Sequence, residues 1–482
     1  MRISGFEKIF YLTEFTLKKT CGEHGSCIFC GSVSEEDEAD FLKKAGQVIQ
    51  VFRREGEKEI CIFSGKVDEV QISKVFNSPT VEVRATSLSA SEDENSHVRI
   101  WQNPAKKFGD FLSKSKLELS DCDLKLSKSL SSLPYSRPVL QNNESNFAFL
   151  KRFSEYVNLP LWVDDTEKGK GEIVLAESLS DATFAIDSDD ILRFKISKLK
   201  NNQCVMALVL KKYVPFGSKV KISDEPGEYV VSEFQMDLVH EVYEFSYKLK
   251  PYVKWKYSLA QTPQLEKTVC LKGTVENNND EKNLGRIQLS FNDGVQDMDK
   301  ERLWIPYQSP YTGLAGGIVF LPDVGDKVVV IFSNENVYAT ATARENALDD
   351  ECRNVKEKYI GNNTKQRIFF RENELFLASG EHTVLLNDKK IEIAVGESKI
   401  ILTAEKITLK QGKTEFLLTD KGSYVKACGN ETALNEQGIT AKSAKDIGLT
   451  SSGTINIVGN GEINIEAKSS QLSLNGSVVD IG

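Results

Sequence analysis

Four residues near the amino terminus have the types and spacing of a metal site: Cys21, His24, Cys27 and Cys30. Thiolate and imidazole ligands this close in sequence suit Zn²⁺, and Cys27/Cys30 has the C-x₂-C spacing of structural zinc centres. The run GSCIFCGSV around them reads as a strand, however. Alternation then puts Ser26, Ile28 and Cys30 on one face and Cys27, Phe29 and Gly31 on the other. A regular strand separates the two cysteines, so no bound metal is expected, with zinc on these four residues as the alternative. Two acidic clusters, Asp164/Asp165 and Asp187/Asp189/Asp190, have the residue type for general acid and base work. Both lie in turn-like runs, LWVDDTEKG and IDSDDIL, which read as solvated loops. His97, His240 and His382 have no serine or cysteine nucleophile recognisably beside them, and no G-x-S-x-G, P-loop or H-E-x-x-H pattern occurs. Neither a catalytic residue nor a cofactor is expected, and the chain does not read as an enzyme.

The elements that would have to position such groups are mainly β. In residues 1–90 the runs VIQVF, EICIFSG, KVDEVQIS and TVEVRATS alternate in strand fashion between Gly, Pro and charged punctuation. Residues 104–157 differ. Pro104 opens one helical run, and Phe147, Leu150, Phe153 and Val157 recur at helical spacing, which is the stripe of a core-facing helix. Strand alternation returns from 160 to 250, and 251–263 reads as a connector. A compact β segment follows at 268–344, then a polar linker.

From Leu375 onward one phrase repeats every eight residues or so: two apolar residues with one between them, then a polar gap. Ile391/Ile393, Ile400/Leu402, Ile407/Leu409, Phe416/Leu418, Ile439/Ala441, Ile447/Leu449, Ile455/Ile457, Ile463/Ile465, Leu472/Leu474 and Val479/Ile481 are examples. An i, i+2 pair faces one side of a strand, so each repeat is a short strand with one face to bury. A single chain could coil with three such strands per turn, or three chains could wind together. The flat, uninterrupted repeat favours three chains. Proline is absent after Pro322, as a continuous hydrogen-bonded ladder requires.

The chain has 482 residues, room for about three domains, and a net charge of −9 that gives no basic field for nucleic acid. Its nine cysteines are odd in number and scattered, which fits reduced thiols in a cytoplasm. The start, MRISGFEKIFYLTEF, has no signal-peptide pattern, and no apolar run is long enough to span a membrane.

Two stretches, KGTVENNNDEKNLGRIQLSF and LWIPYQSPYTGLAGGIVFLPDVGDKVVVIF, resemble the OB-fold barrel of VgrG-type spike proteins of type VI secretion and related phage hubs. The residues that carry the resemblance include Gly273, Val275, Leu284, Gly285, Arg286 and Gln288. In the second stretch they include Trp304, Pro310, Gly313, Gly317, Phe320, Pro322, Gly325, Asp326 and Phe332. Upstream, GEHGSCIFCG, RIWQNP and NNESNFAFLKRFSEYVNLPLWVDD are similar to the hub module of the same family. The resemblance implies a mainly β chain with a hub of two β-barrels and helices at about 104–157 spanning 1–260. An OB-fold barrel would span 264–345, a linker 346–366, and a triple-stranded intertwined β-helix needle 367–482, the needle being formed by a homotrimer. Trp304, Phe320 and Phe332 are expected in the barrel core rather than on a base-stacking platform.

The implied function is the central spike of a contractile injection machine, with the hub meeting Hcp-like tube rings and baseplate proteins. Val478, Val479, Asp480, Ile481 and Gly482 would form a blunt end that carries a PAAR-repeat tip, and effector or adaptor cargo would ride on that tip. The spike would be made in the cytoplasm and expelled by sheath contraction, touching membrane only by puncture. A phage, tailocin or extracellular-particle spike of the same architecture is the alternative, and a glycan-binding or glycan-cleaving tail spike the more remote one.

Overall fold

The computed structural model describes the chain except residues 76–77, 136, 167–169, 199–203, 224, 254–266, 293, 314–316, 334–335, 342–355 and 481–482. Most of the expected connector and much of the linker therefore lie outside the described residues. The chain divides into two compact units, Met1–Ala343 and Arg344–Gly482.

The first unit is built on a 12-stranded sheet. Its main path runs Arg2–Ile3, Val48–Glu55, Lys58–Val75, Ser78–Ser87, Ser26–Ser32, Tyr11–Thr20, Tyr229–Val239, Val242–Pro251, Cys204–Leu210, Ile191–Lys198. Thr183–Ile186 and Lys219–Ile222 branch from Tyr229–Val239. Period-2 alternation explains these strands. In Ser26–Ser32, Cys27 and Phe29 are fully buried while Ile28 and Cys30 are only half-buried. Gly31 is required there, because a Cβ would lie 2.4 Å from Ile9 Cγ2 and 2.7 Å from the Tyr11 carbonyl.

A second core joins the helices to a three-stranded sheet of Leu161–Asp164, Gly171–Leu175 and Cys122–Leu126. The helix Asn146–Tyr156 starts where Ser145 Oγ accepts from Ala148 N at 3.0 Å, an N-cap, and buries Phe147, Phe149, Leu150 and Phe153. The run opened by Pro104 is not one helix. It breaks into two four-residue turns, Phe108–Phe111 and Lys114–Leu117. Asp110 folds back onto Lys107 N, and Leu112 leaves helical geometry at ψ 76°. Arg99, fully buried, donates to the Leu117 carbonyl and Asn146 Oδ1, both at 3.0 Å, and pairs with Glu118.

The third core is a five-stranded barrel ordered Ile305–Pro306, Arg286–Ser290, Val269–Asn277, Lys327–Phe332, Val337–Ala341. A bridge between Tyr307 and Ala339 closes it. Buried Val275, Ile287, Leu289, Val330 and Phe332 fill it, joined by Ile100 and Leu140 from the preceding module. Buried Asp299 fastens the two together, accepting from Gln102 N at 2.9 Å and Asn103 N at 3.1 Å.

The second unit is an 11-stranded antiparallel meander from Lys358–Gly361 to Gly438–Lys442, each strand paired with its neighbours in the chain. From Gln366–Arg371 onward, two-residue turns set its register. The eight-residue spacing continues into 443–480, where strands were expected; the structure has none in that stretch. The reason lies on the other face of the pairs. Strand Ser398–Thr403 sets Ile401 between Ile400 and Leu402, whereas the later runs carry Gly, Ser and Asn (Gly448, Ser452, Asn456, Asn464) around theirs. Such residues have low strand propensity and contribute little to pairing on their own.

Candidate assembly surfaces

The residues that sequence reading put forward for chemistry do not converge. Cys27 is enclosed in the core under the 12-stranded sheet, where burial pushes its thiol pKa far above the ordinary value. Cys30 is on the opposite face of the same strand, and Cys21 donates to the Leu161 carbonyl at 3.3 Å, its thiol pushed up to about 11 by burial. The His24 ring is 3.8 Å from that of Phe147, with Nδ1 2.7 Å from Ser89 Oγ and Nε2 2.9 Å from Asp93 Oδ2. That arrangement clasps the 24–25 turn to the helical module. Among the described residues no three His, Cys, Asp or Glu side chains are grouped to hold a metal ion. The zinc alternative on Cys21, His24, Cys27 and Cys30 is not assembled by this fold, because one ligand is sealed in the core and the strand turns another away.

The acidic pairs separate as well. Asp164 accepts from Thr166 N and Oγ1 in a local turn. Asp165 is not solvated, which corrects the loop reading: it is fully buried, ion-paired with buried Lys19, and has Gly25 against it with room for no Cβ. Burial, opposed by Lys19, pushes its carboxyl up to about 6. In LWVDD it follows Val163 at i+2 on the inward face, a signal that the doubled acid obscured. Asp187 and Asp190 cap a short turn, and Asp190 pairs with Lys212. Phe332 is in the third core, but Phe320 is 58% exposed on a loop, contrary to the expected core position. Residues 318–323 form no strand, so no barrel strand directs Phe320 inward. Trp304 is half-buried under Arg286.

What the fold does assemble is an apolar face. In the meander, cross-strand register aligns Ile391, Leu402, Ile407 and Leu418 in one row and Ile393, Ile400, Leu409 and Phe416 in the next. The rows continue through every strand from Gln366–Arg371 to Gly438–Lys442, with Ser423/Val425 taking the slot that Tyr424 marks in the sequence. These side chains stay open: Phe416 is 37% exposed, Ile400 40% and Leu409 43%. Between the rows' middle strands lies a groove of about 380 Å³ lined by Ile393, Val395, Ile400, Leu409 and Phe416. The opposite face is less exposed. Thr408 and Ala433 are buried there, and Glu392 binds both Lys390 and Lys399, which hold its carboxyl below the usual range. That face also carries Leu385, Ile401, Leu417 and Tyr424, all half-buried, while the exposed apolar side chains gather on the first face. Past the meander Val478 and Val479 are 83% and 48% exposed, while Ile481 and Gly482 lie outside the described residues. Among the described residues no helix is long and apolar enough to cross a membrane.

Residues 271–342 match the family described as the type VI secretion system/phage-baseplate injector OB domain. The matched stretch is the five-stranded barrel. No curated protein sequence matches the chain. Among solved structures, the E. coli c3393 protein is similar over 70% of this chain and 98% of its own, at 13% identity and TM-score 0.49. That protein is described as a type VI secretion component resembling the T4 tail proteins gp27 and gp5. A Francisella PdpA–VgrG complex covers 89% of this chain and 76% of its own, at 10% identity and TM-score 0.47. The 43 kDa tail protein of prophage MuSo2 from Shewanella oneidensis covers 52% and 97%, at 11% identity and TM-score 0.39.

Proposed function

We propose that this protein is the central spike of a contractile injection machine and acts as a homotrimer. One observation carries the reading: an injector OB barrel is followed in the same chain by a meander whose apolar rows face open solvent. A meander with continuous apolar rows open on one face needs a cover along its whole length. Three copies related by a threefold axis enclose all three faces at once, and no lone sheet remains exposed. Burying each half-exposed aliphatic side chain contributes about 1 kcal/mol, summed over many strands.

Along 358–442 the ladder is closed within each chain, so the copies meet there face to face. Strand exchange between chains is left to 443–480, where the apolar pairs continue without partners in their own chain. A shaft of this kind loads many backbone hydrogen bonds in shear, and its work is mechanical rather than catalytic. The hub seats on Hcp-like tube rings and baseplate proteins, and the shaft drives through the target envelope when the sheath contracts. Exposed Val478 and Val479, with Asp480, Ile481 and Gly482, take a PAAR-type tip, which carries any effector or adaptor. The chain is made in the cytoplasm and leaves it by contraction. Deleting the gene in the native host is expected to abolish release of the tube protein into the medium, with restoration by the wild-type chain. Undiminished tube release would contradict the spike role.

A further inference from the structure

Lys19 and Asp165 meet where solvent does not reach, and as ions they are poorly satisfied. Their side chains are 4% and 1% exposed. An ammonium carries three donors, and an ionised carboxylate accepts at both oxygens. Lys19 Nζ nevertheless makes one hydrogen bond, to Asp165 Oδ1, and Asp165 Oδ2 has no partner among the described residues. No other side chain among the described residues is hydrogen-bonded to either group. The space around them is closed at Gly25, where a Cβ would lie 2.6 Å from Asp165 Oδ2, 3.5 Å from the Phe63 ring and 3.7 Å from Lys19 Cγ. Cys27, in the apolar core, is near enough for both charges to act on its thiol.

These surroundings favour neutral partners. Moving one proton from the ammonium to the carboxylate removes both charges from the core while the pair keeps the same number of protons, and an apolar medium rewards that transfer. Burial is the leading influence on Asp165 and raises its carboxyl, in the direction of the acid form. A neutral amine held against a carboxylic acid is the reactant pair for an amide. In water, ionisation of both groups opposes condensation; the core removes that opposition, and fixed contact replaces the concentration that free groups would need. The product also suits the site, because an amide brings one N–H donor and one carbonyl acceptor in place of three donors and two accepting oxygens.

We propose that Lys19 and Asp165 condense into an isopeptide cross-link. Lys19 Nζ attacks Asp165 Cγ, the C–N bond forms, one carboxyl C–O bond breaks, and the hydroxyl leaves with an amine proton as water. No oxidant, metal or co-reactant enters. Freshly folded protein holds the ion pair, since no third side chain assists the proton transfers, and the amide accumulates afterwards. The bond ties strand Tyr11–Thr20 to the residue that follows Leu161–Asp164, partners 146 residues apart. The 12-stranded sheet and the three-stranded sheet of the helical module thereby become covalently joined. A cross-link closing so long a loop restricts the unfolded chain. It does not depend on the spike reading.

The test is the mass of the denatured full chain, followed by trypsin digestion, before and after prolonged incubation at neutral pH. A growing species lighter than the sequence by one water is expected, with a branched peptide joining Lys19 to Asp165 and no cleavage after Lys19. Incubation in urea is expected to give no such species, because the unfolded chain does not bring the partners together. Lys19→Arg keeps a cation without an amine and is expected to retain its full mass throughout. The wild-type measurement stands without the variant, so a poorly folded variant does not blunt it. A wild-type chain that keeps its full mass would overturn the cross-link. So would a chain that loses water while trypsin still cuts after Lys19, as a cyclic imide at Asp165 allows.

Discussion

Asp165 and Lys19 form an ion pair that solvent does not reach, so each is stable only because the other is present. Asp165→Ala strands an ammonium in the core and is expected to cost about 3–5 kcal/mol in urea unfolding. The double change Lys19→Met with Asp165→Leu is expected to recover most of that loss. Asp280 is a contrasting case. It accepts from the backbone of Lys282 and Leu284 and from Arg286, which holds its carboxyl well below the usual range. A depressed acid stabilises the fold above its unfolded value of about 3.9. That contribution declines progressively once pH drops below the unfolded value and is gone below the lower folded one. The stability gap between wild type and Asp280→Asn is therefore expected to hold steady from pH 8 to pH 5 and to close only in strong acid. Neither carboxylate was legible as special in the sequence. Asp165 was masked by its neighbour Asp164, and the Asp280–Arg286 pair depends on a loop closure that residue types do not announce.

At the scale of elements, the repeat was the most legible part of the chain, because an i, i+2 pair specifies a strand face whatever its partner is. Its strand pairing was less legible. The sequence shows that Ile400 and Leu402 share a side, but not that they stack on Leu409 and Ile407 of the same chain. The fading of strands after Lys442 follows from residues between the pairs, which the repeat itself ignores. Two changes test the face assignment. Ile400→Lys places a charge on the open apolar row and is expected to weaken assembly, measured as mass on dilution. Lys410→Glu, on the opposite face, is expected to leave assembly intact. The turn at Cys428 holds a non-glycine residue at φ 49°. Cys428→Gly relieves that strain and is expected to raise stability by about 1 kcal/mol in thermal unfolding.

For the whole molecule, the described architecture is a five-stranded barrel, similar over 271–342 to the injector OB domain, fastened to a β module through Asp299, with a separate unit of strands that leaves apolar rows exposed. Nothing at the residue scale assembles a metal centre from the cysteines that first invite one. What the described residues leave open is apolar surface, which on the proposed reading copies of the chain cover. The mass of the full-length chain in solution tests this most directly. The account predicts three times the chain mass, persisting on dilution and lost in Ile400→Lys. A wild-type chain that stays monomeric at micromolar concentration would contradict it.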